Sequence, residues 1–150
     1  MKKAIYLIIA LLIVVQFIPA YLPEVSYDNP KDMLTNNPNI TDDVKMILKN
    51  SCYNCHSNET NYPWYARVIP ISFLVSHDIK DGREELNFSH WENYKKIEKA
   101  GILDDISGSV SNGEMPKKIY TLIHRNASLS DAEKKIIVNW ADEFAESLFE

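Results

Sequence analysis

Cys52-Tyr53-Asn54-Cys55-His56 holds both cysteines of a 150-residue chain, two positions apart, with a histidine directly after the second. Two thiols at that spacing lie on one short turn. The pattern Cys-x-x-Cys-His is the attachment signature of a c-type haem. Thioethers to the two vinyl groups of one porphyrin would place the adjacent imidazole under the iron, a position histidine fills in many haem proteins. The expected cofactor is therefore one covalently attached haem c, held by Cys52 and Cys55, with His56 on the metal.

Other uses of the pair are weaker. A thioredoxin-like dithiol needs a βαβ pattern that the chain lacks. A zinc site would need two further ligands from His77, His90 or His124, and no second Cys-x-x-Cys or close histidine pair offers them. A plain structural disulfide is disfavoured by the tight spacing and by the histidine.

Outward from the motif, the residues that follow Thr41 read as a helix. Thr41 is the expected N-cap, with Asp42 and Asp43 in the first turn, where acids suit the helix dipole. Val44, Ile47, Leu48 and Cys52 share one face, so this helix delivers Cys52 on its buried side. Pro70 opens an expected second helix with Ile71, Leu74, Val75, Asp78 and Ile79 along one stripe, ending near Gly82. Ser89 and Glu92 form an expected capping box for a third helix, broken by Gly101. A short fourth helix carries Ile102, Ile106 and Val110, with Gly113 as its C′ residue. A helical turn follows from Ile119 to Ile123. A second capping box, Ser130 with Glu133, opens a last helix carrying Ile136, Ile137, Trp140, Phe144 and Leu148. No alternating strand pattern competes, and the expected fold is all-α.

The chain divides into three parts: a leading segment over 1–22, a linker over 23–40 and a domain over 41–150. Lys2 and Lys3 precede an apolar run from Ala4 to Ala20 broken only by Gln16 and Pro19. That pattern fits a signal peptide or an uncleaved signal anchor. The run approaches the ~20 residues that a span needs. Positive-inside logic keeps the lysines in the cytoplasm and places the domain on the exported side, the periplasm. The proline- and asparagine-rich linker is expected to be extended and to hold the domain off the membrane.

Composition is that of an ordinary globular protein, 45% hydrophobic and 25% charged, with a formal charge of −5. Without its first twenty residues, which carry two lysines and no acid, the chain keeps 14 basic and 21 acidic residues, a net −7. That balance argues against a nucleic-acid partner. The expected partners are a redox protein and, through the leading segment, a membrane.

Met115 is the first choice for a second axial ligand. Gly113 and Pro116 take it out of the helix and stiffen its loop, and thioether plus imidazole is a known pairing. His77, on the second helix, is the alternative. Tyr62, Trp64, Tyr65 and Arg67 are expected around the pocket, the aromatics excluding water and Arg67 pairing with a propionate. His124 is expected to hydrogen-bond a propionate or a neighbouring loop.

With these residues in place, the chain resembles a small haem-binding domain family of exported bacterial proteins, a cytochrome c-like group. The resemblance rests on CYNCHSNETNYPWYARVIP (52–70), HDIKDGREELNFSHW (77–91), the GEMP turn (113–116) and YTLIH (120–124), and it covers residues from about 41 to 149. It implies a cytochrome c-like helical domain around one haem c on Cys52 and Cys55, with His56 proximal. By similarity to cytochromes c, Met115 is the distal ligand, and the first and last helices cross. The expected function is a membrane-anchored monohaem cytochrome c that transfers single electrons, an electron carrier more than an enzyme. The alternative is a five-coordinate haem enzyme or sensor, peroxidase-like or gas-binding, with His77 as its acid–base group.

Overall fold

Two long helical segments near the C-terminus contribute Leu103, Val110, Ile137, Trp140, Ala141 and Phe144 to the buried core. The computed structural model describes residues 2–35 and 37–150; Met1 of the leading segment and Asn36 of the linker lie outside them. Among the described residues seven α-helices follow one another: α1 (Lys2–Val15), α2 (Asp42–Ser51), α3 (Tyr53–His56), α4 (Ile71–Glu85), α5 (Lys96–Ser111), α6 (Lys118–Ile123) and α7 (Asp131–Ser147). Short 3-10 segments cover Trp64–Arg67, Phe88–Asn93 and Arg125–Ala127. Among the described residues there is no strand, and the fold is all-α as expected.

The α5–α7 pair packs more extensively than any other, and α2 also lies against α7. Leu103 and Val110 of α5 meet Ile137, Trp140, Ala141 and Phe144 of α7 in one buried cluster with Val44, Ile47 and Leu48 of α2. Trp91 and Phe88 close it from the 3-10 segment. Burying each such side chain stabilises the fold by roughly 1.5–3 kcal/mol. Ser130 and Glu133 cap α7 reciprocally, as the sequence predicts. Ile136, expected on the buried face of α7, is exposed.

Gly101 does not break a helix. It sits exposed within a continuous α5, where an added Cβ would meet nothing. A helical glycine costs about 1 kcal/mol, less than burial of Leu103 and Val110 contributes. The helix also starts later than expected, at Lys95, whose backbone N–H is capped by Glu98. Ser89 caps nothing: Asn87 accepts its N–H, and the Ser89 hydroxyl donates to Asp32 and accepts from the Asn58 N–H.

The linker is corrected in the same way. Asp32 and Met33 are buried. Met33 N–H donates to Phe88 O at 2.9 Å and Glu92 N–H to Lys31 O at 3.2 Å. The Asp32 carboxylate accepts from Tyr53 Oη at 2.8 Å, Ser89 Oγ at 3.2 Å and the Leu34 N–H at 2.9 Å. A buried carboxylate survives only with such partners. Residues 31–34 are therefore a strap across the domain, where the proline content suggested a spacer.

From Ala4 on, α1 carries no charged residue, and it buries no residue. No helix of the described residues is long and apolar enough to cross a membrane.

Candidate functional site

The motif sits where α2 ends. Thr41 Oγ1 accepts the Val44 N–H and starts the helix, whose buried face carries Val44, Ile47 and Leu48. Cys52 N–H still bonds Leu48 O, but the backbone of Cys52 (φ −120°, ψ −40°) leaves the helical path. Cys52 O then accepts from the Cys55 and His56 N–H groups at 3.1 and 3.0 Å, which coils the motif into the single turn α3. Cys52, Cys55 and His56 consequently share one wall of a cavity of 410 Å³, inside the ~300–1,000 Å³ range of cofactor-sized sites.

The cavity is mostly apolar. Val75 and Ile79 of α4, Ile102 and Ile106 of α5, Ile137 of α7 and Leu129 line it. α4 approaches the motif through small residues: its buried positions are Ser72, Ser76, Ile79 and Gly82. The expected stripe of Ile71 and Leu74 faces solvent instead. Gly82 sets the contact distance, because a Cβ there would stand 2.9 Å from Cys55 O.

His56 is held by backbone. Its Nδ1 lies 2.8 Å from Gly82 O and 3.3 Å from Leu86 O. A carbonyl only accepts, so Nδ1 carries the proton and Nε2 keeps a lone pair. Burial holds the imidazole below its usual pKa, so the ring is neutral near pH 7, the form that binds a metal. Phe88 meets the His56 ring edge-on at 6.3 Å and stacks on Tyr53 at 4.9 Å.

Both cysteines are free and half-buried. Burial pushes the Cys52 thiol up to about 12 and the Cys55 thiol up to about 11. Among the described residues no group of three or more His, Cys, Asp and Glu side chains converges to hold a metal ion.

Met115 lines the same cavity from a different element. α5 ends in a Schellman motif: Gly113 at φ 70° donates to Val110 O, and Glu114 N–H returns to Ser109 O at 2.9 Å. Met115 N–H also reaches Ser109 O, at 3.2 Å. The backbone of the loop is thus pinned where its side chain meets the cavity.

Tyr62 and Tyr65 line the cavity too, and Tyr62 Oη donates to Pro23 O at 2.7 Å. Trp64 and Arg67 do not: both are exposed on the outer side of their 3-10 turn. His77 is also outside. Ser76 and Ile79 occupy the inner face of α4, so His77 is turned to solvent, where its Nδ1 pairs with Asp81 at 2.9 Å. It lines no part of the cavity.

Lys117 and Tyr120 are wall residues that the sequence did not single out, and Tyr120 works with His124, which it did. Lys117 reaches the cavity while bonded to Asp78 at 2.7 Å, the contact that holds its ammonium pKa up. Tyr120 and His124 stack at 4.4 Å, His124 Nε2 pairs with Tyr65 Oη, and Asn54 Nδ2 donates to Tyr120 Oη at 2.8 Å. His124 therefore does bond a neighbouring loop, the one that carries Tyr65. Their i, i+4 spacing in YTLIH was the available signal. Arg83 is the other omission. It donates to Ser57 O, Glu24 O and Thr60 Oγ1 at 2.8–3.0 Å, clamping the loop after the motif.

Two thiols and a neutral imidazole on one turn, facing a mainly apolar cavity that also holds a thioether, suit a porphyrin with a ligatable iron. The fold and the donor set define a helical haem-holding domain. The chain belongs to the haem-binding domain family, whose model matches residues 10–143. No curated relative and no solved structure matches it.

Proposed function

We propose that the protein is a membrane-anchored monohaem cytochrome c that passes single electrons to and from a redox partner on the exported side of the membrane. When bound, the haem supplies an iron that gains and loses one electron. Cys52 and Cys55 would hold it covalently, each S–H adding across a vinyl group so that one S–C and one C–H bond form. His56 Nε2 and Met115 Sδ would be the residues that ligate its iron. The carrying observation is the 2.8 Å bond from His56 Nδ1 to Gly82 O, made on the same turn as both thiols.

Each protein group has a physical task in this reading. Gly82 and Leu86 carbonyls keep the proton on Nδ1 and fix the ring plane, which also raises the basicity of the other nitrogen. The isoleucines of α4, α5 and α7 keep water from the iron, which sets the cost of changing its charge. Arg83 keeps the post-motif loop closed over this wall. Lys2 and Lys3, at the start of α1 and ahead of its apolar run, support the export side.

A five-coordinate haem enzyme or sensor is the second reading. It is favoured by the Tyr65–His124 pair, which brings an acid–base group to the cavity that His77 does not. Carbon monoxide separates the two. Reduced protein that refuses it, with a methionine–iron charge-transfer band in the oxidised near-infrared spectrum, supports the electron carrier; rapid, complete binding supports the alternative.

A further inference from the structure

Trp64 and Arg67 lie outside the cavity, in the turn just before the point where the leading segment is tied to the domain. Gln16 follows the apolar run of α1, and its amide brackets Ile69: Nε2 donates to Ile69 O at 3.0 Å and Oε1 accepts the Ile69 N–H at 3.0 Å. Beyond Ile69 the first turns of α4 present Ile71, Phe73 and Leu74 to solvent, and Trp64 is 83% exposed. Trp91 and Trp140 are at 0% and 7%, so the third tryptophan is the exception. The segment after α1 is tied to the same helix, with Lys80 Nζ 4.9 Å from the Tyr21 ring centroid.

We propose that this face, Trp64 with Ile71, Phe73 and Leu74, rests in the interfacial layer of the lipid bilayer that α1 enters. This rests on the membrane reading of the leading segment. Three observations select a bilayer as the occupant. From Ala4 on, α1 is apolar all round and buries no residue, which places a helix in lipid or in a large core. Phe17 and Ile18, which follow α1, are exposed apolar residues as well, and Gln16 beside them is bonded to Ile69 at the entrance to α4. Finally, α1 has 14 residues, about 21 Å of helix, short of the ~30 Å hydrocarbon core. A domain seated against the surface, with tryptophan at headgroup depth and Arg67 beside it, suits so short a helix. The strap of residues 31–34 agrees, since it leaves no free spacer between helix and domain.

The test is spin-label depth in the full haem-loaded chain, reconstituted in phosphatidylcholine–phosphatidylglycerol vesicles. Phe73→Cys, Leu7→Cys on α1 and Ile97→Cys on α5 each receive one nitroxide, with the unsubstituted chain reporting any label on Cys52 or Cys55. Collision with oxygen against a water-soluble nickel chelate gives the depth. The proposal expects the labels at 7 and 73 to favour oxygen and the label at 97 to favour nickel. A label at 7 in lipid with the label at 73 in water overturns the docked face and leaves the α1 reading intact. Labels at 7 and 73 both in water overturn the α1 reading and the proposal with it. Leu74→Cys gives the same readout if Phe73→Cys is poorly folded.

Discussion

Gly82 and His56 form a single unit: the Gly82 carbonyl accepts a hydrogen bond from His56 Nδ1–H at 2.8 Å, and the missing Gly82 side chain lets α4 approach the motif closely enough for that bond. Gly82→Ala should therefore act twice. The new Cβ at 2.9 Å from Cys55 O must push α4 away, at a cost of about 1–3 kcal/mol, and the histidine loses its fixed plane. Urea unfolding should show the stability loss, and the oxidised haem spectrum should broaden or shift with it. An unchanged spectrum would mean that the carbonyl does not orient the ligand.

Met115→Ala should remove the near-infrared charge-transfer band and let reduced protein bind carbon monoxide. His77→Ala, at a solvent-facing position, should do neither. Equal effects of the two substitutions would return His77 to consideration.

The strap makes a stability prediction. Met33 is fully buried, so Met33→Ala should cost about 2–5 kcal/mol, measured by denaturant midpoint. A loose spacer would give a loss near zero.

Asn54 and Tyr120 should be energetically coupled, because the motif turn reaches α6 through their 2.8 Å bond. In a double-mutant cycle of Asn54→Ala and Tyr120→Phe, a coupling of about 0.5–1.5 kcal/mol is expected. Additive effects would show that the bond contributes nothing.

The cap of α7 gives a pH dependence. Ser130 side-chain and backbone hydrogen bonds hold the Glu133 carboxyl below its usual pKa. A depressed folded pKa means that the contribution is present above the ordinary value of about 4.3 and is lost as pH falls through the folded value. Glu133→Ala should thus be less stable than the parent at pH 7, with the gap closing as pH drops below ~4. Ser130→Ala should cost about 1 kcal/mol at neutral pH.

Local signals were legible where one element decides its own structure. Thr41, Gly113 and the Ser130–Glu133 box are satisfied within a turn of chain, and the cavity residues Cys52, Cys55, His56 and Met115 sit in motifs of a few residues. What was illegible depended on partners distant in sequence. Ser89 looks like a cap until Asp32 and Asn58 arrive. Gly101 looks like a breaker until Leu103 and Val110 are packed. α4 looks amphipathic through Ile71 and Leu74, yet it meets the motif through Ser72, Ser76 and Gly82, because close approach needs small side chains. That register turns His77 outward and leaves Trp64 and Arg67 on another face.

The proposed electron carrier requires a single haem covalently held by Cys52 and Cys55. Acid–acetone extraction of the full chain, purified from a host that attaches haem to Cys-x-x-Cys-His, tests it most directly. One haem per chain should stay with the denatured protein, and Cys52→Ala combined with Cys55→Ala should release it. Haem that extracts completely from the unsubstituted chain, or a chain that is colourless, would contradict the account.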